Sequence, residues 1–147
     1  MLTVLMPVSV VDEFLPIAVD SIQNQTFKDF ICHILCAQLS DNEKKRLSEL
    51  VSDDSRFVIH YLNMDGITFA LNYGINLVKT KYVARMDSDD ITHPTRFEKQ
   101  LNFLEGNPNY VMVGSRVIII DEHGEKTNQN FKFFEDDKEI RRALKYR

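Results

Sequence analysis

Apolar runs alternate with helical patterns along the chain. Leu2 to Val8 reads as a buried strand, because a run that is apolar on both faces suits a parallel strand covered on both sides. Asp12 follows where it can cap a helix carrying Phe14, Ala18 and Ile22 on one face, with Leu15 and Val19 beside them. Pro16 is compatible only with the first turn of that helix. Phe30 to Ala37 predicts a second strand. Ser40-Asp41-Asn42-Glu43 has the spacing of a capping box, and Leu47, Leu50 and Val51 follow at helical intervals. Arg56 to Leu62 predicts a third strand and Ile67 to Val78 a helix that is apolar on most faces. Tyr82 to Met86 predicts a short fourth strand, stopped by Asp87-Ser88-Asp89-Asp90. Pro94 opens a further helix with Phe97, Leu101 and Leu104 inward.

Beyond this the pattern loosens. Val111 to Ile120 is a long β-branched run ending in the turn signal Asp121-Glu122-His123-Gly124. Phe131 to Phe134 reads as a short strand and Asp136 to Tyr146 as a helix. Repeated strand–helix units imply an α/β fold with a mostly parallel, twisted sheet and helices on both faces. In such sheets ligands bind at the carboxyl ends of the strands. The segments of interest are therefore Pro7–Val10, Cys36–Ser40, Asn63–Gly66 and Asp87–Asp90.

Composition narrows the classes. The 147 residues suit one domain, residues 1–147, with 44% hydrophobic and 27% charged residues. No run approaches the ~20 apolar residues of a membrane span, and no secretory signal precedes the first strand. The expected location is therefore cytoplasmic, free or peripheral at the inner face of the plasma membrane. A formal charge of -4 gives no reason to expect nucleic acid as a partner. Cys32 and Cys36 are the only cysteines. Four apart on a strand they stand roughly 13 Å from each other, too far for a disulfide. His33 points to the opposite face and does not complete a metal site with them.

The chemistry-bearing feature is the acidic corner. Asp87, Asp89 and Asp90 place three carboxylates at the exit of a buried strand. Their mutual repulsion is relieved by a hard divalent cation that keeps positions open for phosphate oxygens. On strand geometry Asp87 and Asp89 reach one side while Ser88 turns away. An acidic turn that merely caps the next helix has the same spacing. A calcium loop is disfavoured, since Ile91 and Thr92 stand where an oxygen ligand and a glycine are required.

Several segments resemble family 2 glycosyltransferases. Tyr82-Val83-Ala84-Arg85-Met86-Asp87-Ser88-Asp89-Asp90-Ile91 looks like their DXD segment, and Pro94-Thr95-Arg96-Phe97-Glu98-Lys99-Gln100 looks like their P-x-R-x-x-x-Q helix. Asp20-Ser21-Ile22-Gln23-Asn24-Gln25-Thr26-Phe27 resembles their DSI-x-NQT-x segment. Gly66 and Ala70-Leu71-Asn72-Tyr73-Gly74-Ile75 resemble GI-x-x-ALN-x-GI, and Val113-Gly114-Ser115 and Asp121-Glu122-His123-Gly124 also fit. The resemblance implies a GT-A fold and inverting transfer from a nucleotide-diphospho-sugar to a glycan or lipid-linked acceptor, as in bacterial surface polysaccharide synthesis. It implies Mn²⁺ or Mg²⁺ held by Asp89, with Asp87 assisting or binding the donor ribose or sugar. Pro7, Val8, Ser9, Ala37, Arg85, Asp87 and Ser88 are the implied donor-binding residues. Arg85 either contacts the donor or pairs with the aspartates. Arg96 is expected to be structural, and Asn72 likewise.

Two segments depart from the family pattern. Ser9 and Val10 stand where the family usually has an aromatic and an asparagine, and Ala37 stands where it has a base-reading carboxylate. The loss of a stacking contact and a base-edge hydrogen bond weakens recognition by ~1–3 kcal/mol each. Gln38, Ser40 or Asp41 are the candidates to replace them. The family's general base lies well past its DXD segment, so it is expected beyond Arg147, and the chain reads as the donor-binding part of a longer catalytic domain. Asp136, Asp137 and Glu139 look like first-turn partners of a helix rather than a base. The main rival is a non-catalytic homologue with a degenerate nucleotide pocket. A nucleotidyltransferase is disfavoured because no glycine-rich, basic loop occurs at Pro7–Phe14.

Overall fold

The computed structural model describes residues 1–129 and 133–144. Its elements are β1 (Leu2–Val8), α1 (Phe14–Gln23), β2 (Phe30–Ala37), α2 (Asp41–Val51), β3 (Phe57–Leu62), α3 (Ile67–Leu77), β4 (Tyr82–Arg85), α4 (Arg96–Gly106) and α5 (Asp137–Leu144). The strands form one parallel sheet in the order β3-β2-β1-β4, so all four carboxyl ends lie along the same edge.

Strand parity divides the sheet into two faces. Leu2, Val4, Met6 and Val8 of β1 share the larger core with Cys32, Ile34 and Cys36 of β2. Against them pack Leu15, Ala18, Val19 and Ile22 of α1, Leu47 and Val51 of α2, and Phe97 of α4. The opposite face carries Leu5, Leu35 and Leu62, with Ala70 of α3 buried on them. Both cysteines are buried and free, and burial pushes the Cys36 thiol up to about 12. His33 is directed to the α3 side, where its Nδ1 lies 2.9 Å from His60 Nε2.

The sequence explains the helix starts. Asp12 Oδ1 accepts the Phe14 and Leu15 N–H groups at 3.0 and 3.2 Å. The capping box of α2 is formed: Ser40 Oγ accepts the Glu43 N–H, and Glu43 Oε2 accepts the Ser40 N–H at 2.9 Å. These bonds satisfy amides that have no partner inside the helix. Helix α4 begins at Arg96 rather than at Pro94, because Pro94 and Thr95 form a turn in which the Arg96 N–H reaches the His93 carbonyl at 2.9 Å. Helix α3 is apolar on most faces, as its sequence suggests, yet it buries only Ala70 and Gly74 and leaves Ile67 and Ile75 exposed.

The chain forms two compact units, Met1–Val111 and Met112–Arg147. In the second, the β-branched run before Asp121 forms no strand. Its only ladder contact among the described residues is the antiparallel bridge Ile120–Lys126. Strand propensity reflects packing on a pleated, half-buried surface, and Val117 and Ile118 have no such surface. The turn itself is formed. Asp121 Oδ1 accepts the His123 and Glu125 N–H groups at 2.9 and 3.0 Å, and Gly124 takes the left-handed φ of 80°. Phe133 and Phe134 are not in a strand, and Phe131 and Lys132 lie outside the described residues. The helix expected over Asp136–Tyr146 is seen as α5, its last residues also lying outside the described part. Asp136 caps it by accepting the Glu139 N–H at 2.9 Å. No helix among the described residues is long and apolar enough to cross a membrane.

Candidate functional site

The carboxyl ends of the strands surround a cleft of about 500 Å³. Pro7, Val8 and Ser9 line it from β1, and Leu35 and Ala37 from β2. The β3–α3 connection contributes Asp65, Gly66 and Ile67, with Ala70 one turn further on. The exit of β4 contributes Asp87, Ser88 and Asp89. Of the donor-binding candidates, only Arg85 is absent from this wall. The strand-end rule pointed to Asn63–Gly66, but Asp65 and Gly66 carried no assigned role in the sequence reading. Their signal was position alone.

Each wall is held by local chemistry. The loop after β1 is clamped at Val11, whose N–H donates to Glu43 Oε1 at 3.2 Å and whose carbonyl accepts from Arg46 Nη1 at 2.9 Å. The hydrogen bonds from Ser40 and Val11 hold the Glu43 carboxyl below its ordinary range. Ser40 caps α2 through Glu43, Asp41 pairs with Lys44 at 3.0 Å, and neither lines the cleft. Gln38 has a left-handed backbone, φ 53°, which turns the chain sharply off β2. Gly66 has φ 109° at the start of α3, a conformation that side chains with a Cβ rarely adopt. Its N–H donates to Asp65 Oδ1 at 2.7 Å.

The acidic corner is built around two arginines. Arg85 pairs with Asp87, which was one of its two expected roles. Arg96 donates to the Arg85 carbonyl at 3.0 Å through Nη2 and to Gln100 Oε1 at 3.3 Å through Nε. It pins the strand exit through the backbone, and burial lowers its pKa against the opposing pull of Asp90 and Asp87. Asp90 lies outside the cleft wall, and burial, then the charges of Asp87 and Asp89, push its carboxyl up. Ser88 lines the cleft together with Asp87 and Asp89. Strand β4 ends at Arg85, and in the turn that follows, where the Asp90 N–H reaches the Asp87 carbonyl at 3.4 Å, strand alternation no longer applies.

Two carboxylates at the strand exit would suit a hard divalent cation with open positions. No group of three or more His, Cys, Asp or Glu side chains converges among the described residues. Asp87 and Asp89 therefore offer at most two carboxylates, while burial and then the charges of these two push the Asp90 carboxyl up. Mg²⁺ and Mn²⁺ are bound in this way, completed by phosphate oxygens and water, whereas a structural zinc or calcium cage needs more protein ligands.

The other recurrent segments are structural. Gln25 is fully buried, and its Nε2 donates to the Ser21 and His93 carbonyls at 3.2 and 2.8 Å. The Thr26 N–H reaches the Pro94 carbonyl at 2.8 Å. Thus the end of α1 holds the segment between the acidic corner and α4. Asn72 is exposed, and its carbonyl accepts from Asn76 at 2.9 Å.

Comparison with known proteins agrees with this architecture. The family profile described as glycosyl transferase family 2 matches residues 3–146. The O-antigen biosynthesis glycosyltransferase WbnJ of Escherichia coli is 37% identical over 130 residues, covering 85% of this chain and 49% of that protein. The amylovoran biosynthesis glycosyltransferase AmsE of Erwinia amylovora is 48% identical over 61 residues, 42% of this chain and 23% of its own length. The chain thus spans about half the length of the first of these relatives. Among solved structures, S. aureus TarS 1-349 in complex with UDP-GlcNAc superposes with a TM-score of 0.63 at 15% identity, over 73% of this chain and 32% of that one. At that identity the likeness concerns the fold.

Proposed function

The chain belongs to glycosyl transferase family 2, and from that membership we propose that it is the donor-binding portion of an enzyme that moves a sugar from a nucleotide-diphospho-sugar to a glycan or lipid-linked acceptor. The observation that carries this reading is the placement of Asp87, Ser88 and Asp89 on one cleft with the ends of β1 and β2. The names of the relatives from O-antigen and amylovoran biosynthesis support surface polysaccharide as the product class.

Asp89, assisted by Asp87, would hold Mn²⁺ or Mg²⁺ at the β4 end. A cation held there would supply Lewis-acid stabilisation of the diphosphate leaving group. Arg85 restrains Asp87, and Arg96 fixes the backbone on which both stand. Ser9 and Ser88 offer hydroxyls to the donor. The reaction is a single in-line displacement with inversion at the anomeric carbon. Asp87 and Asp89 would stand with the leaving group, so neither is assigned as the base that deprotonates the acceptor hydroxyl.

The second reading is a binding or assembly subunit without catalysis, favoured by the apolar Ala37 at the end of β2. One experiment separates the two. Thermal stabilisation of the protein by a panel of nucleotide sugars is measured with and without Mn²⁺. A donor at a hundred times its Kd stabilises by about 2.7 kcal/mol. Asp89→Ala is expected to abolish the metal-dependent shift with the unliganded melting temperature unchanged, and Asp87→Asn to reduce it less. Donor binding that survives Asp89→Ala refutes the metal assignment, and no shift with any donor favours the non-catalytic reading.

A further inference from the structure

The pairing of β1 with β2 ends at Val8 and Cys36. Beyond it the two chains part, and each lines one wall of the cleft, through Ser9 on one side and Ala37 on the other. Helix α2 rejoins them, although none of its own described residues lines the cleft. Glu43 Oε1 accepts the Val11 N–H at 3.2 Å, while Glu43 Oε2 accepts the Ser40 N–H at 2.9 Å and lies 2.6 Å from Ser40 Oγ. One carboxylate thus bridges the β1–α1 connection just past Ser9 and the β2–α2 connection just past Ala37. Arg46 donates from Nη1 to the Val11 carbonyl at 2.9 Å, so both backbone groups of Val11 end on α2 side chains.

Two features make this more than a surface contact. Val11 is only 5% exposed and lies in neither a strand nor a helix. Buried backbone without a ladder partner must find side chains or water. Here it finds charged groups, whose hydrogen bonds are about twice as strong as neutral ones. The second feature is the acceptor count. A carboxylate offers one oxygen to each connection, whereas a glutamine amide has a single acceptor oxygen. A capping box accepts Glu or Gln at this position, so the helix alone does not require the acid. The bridge does.

We propose that Glu43 and Arg46 are positioning residues for the donor, holding the Ser9 wall in register with the Ala37 wall before a nucleotide enters. The proposal rests on the donor-site reading above. It gives neither residue a contact with the donor or with a metal. A preformed wall spares the ligand the ordering of a loop, and without the bridge that ordering weakens binding.

The test measures binding of UDP, GDP, CDP and ADP in Mn²⁺ by calorimetry, for wild type, Glu43→Gln, Arg46→Met, Arg46→Lys, Ser40→Ala and Asp89→Ala. Melting temperature and hydrogen exchange at the Val11 amide are followed alongside. Glu43→Gln is expected to weaken the tightest-binding nucleotide about threefold to tenfold and to speed exchange at Val11. The sign is diagnostic, because removing a negative charge would by Coulomb attraction alone strengthen the binding of an anion. Arg46→Met should lose a similar factor, and Arg46→Lys should recover most of it, since the ammonium still donates to the Val11 carbonyl. Ser40→Ala removes the hydroxyl cap of α2 but keeps the N–H that Glu43 accepts. It should lower the melting temperature and leave nucleotide affinity unchanged. A folded Glu43→Gln variant that binds as tightly as wild type overturns the proposal. So does an equal loss in Ser40→Ala, which would reduce Glu43 to a helix cap. If Glu43→Gln does not fold, the Arg46 pair decides, and wild-type affinity in Arg46→Met overturns the proposal. In each of these cases, wild-type binding that Asp89→Ala abolishes leaves the donor site standing. Absence of binding by every nucleotide overturns both readings.

Discussion

The side-chain carbonyl of Gln25 accepts the backbone N–H of Phe97 at 3.1 Å, joining the end of α1 to the first turn of α4. The same side chain donates to the His93 carbonyl, so a single fully buried amide fixes both ends of the segment leading from the acidic corner into α4. Phe97 in turn is buried against Phe30, ring centroids 5.8 Å apart in an edge-on arrangement. The path from the core to Asp87 and Asp89 is thus continuous and rigid. Gln25→Ala should remove these bonds, leave the Phe97 N–H without a partner and open a cavity. The expected loss of stability is about 2–4 kcal/mol in urea denaturation. A loss below about 1 kcal/mol would mean that water replaces the amide without strain.

Gly74 makes the corresponding contact on the other face. A Cβ there would lie 2.7 Å from Leu35 Cδ1 and 3.0 Å from Leu5 Cδ2. With Ala70 it lets α3 approach the sheet closely, and the start of that helix carries Gly66 and Ile67 of the cleft. Gly74→Val should push α3 outward at about 1–3 kcal/mol, the usual cost of overpacking. Donor affinity should fall with it, because the β3 end of the cleft moves. Gly74→Ala should be milder, since the atoms it meets are the ends of flexible leucine side chains. Wild-type affinity in a folded Gly74→Val variant would show that α3 does not position the cleft.

These two contacts show what the sequence discloses and what it hides. Strands β1 and β2 were legible because their residues are largely apolar on both faces, and α2 was legible because Ser40 and Glu43 have capping-box spacing. The acidic corner drew notice because three carboxylates at a strand exit repel one another, although a capping turn has the same spacing. The partners of Gln25 were not legible, since nothing local says that a polar residue near a helix end will be buried 72 positions away from the amide it satisfies. Asp65 was obscured for a different reason. It is exposed, surrounded by loop residues, and only the folded chain places it on the cleft wall. Val111 to Ile120 is β-branched without forming a strand, because strand propensity is a preference for a pleated, half-buried surface that the described residues do not supply.

The His33–His60 pair should give stability a pH dependence above the carboxylate range. Burial lowers both imidazole pKa values, and His60 adds repulsion to His33. The Tyr73 ring on α3 meets His60 in a T-shaped arrangement, centroids 5.8 Å apart, and no carboxylate or cation contributes to either shift. The folded pKa values lie below the unfolded ones, so the unfolded chain takes up protons first on acidification. Stability is therefore full above about pH 6.5 and declines as pH falls through the folded values. His60→Gln should flatten that decline in melting temperatures measured between about pH 7 and 5. An unchanged slope would locate the proton uptake elsewhere.

Gln38 carries a strain that can be removed without touching a contact. Its φ of 53° is the only positive value at a non-glycine position among the described residues, and it sits directly after Ala37 at the mouth of the cleft. The left-handed region costs such a residue about 1–2 kcal/mol, a penalty glycine escapes. Part of the gain is returned through the greater freedom of glycine in the unfolded chain. Gln38→Gly should therefore raise stability by about 0.5–1 kcal/mol, and a β-branched Gln38→Val should lower it. Comparison of the two by denaturation, with nucleotide affinity measured alongside, separates backbone from side chain. If the glycine variant is more stable and binds donor as wild type, the strain belongs to the turn. If it is more stable and binds more weakly, the Gln38 amide contacts the donor, and the strain is retained because it holds that amide at the cleft.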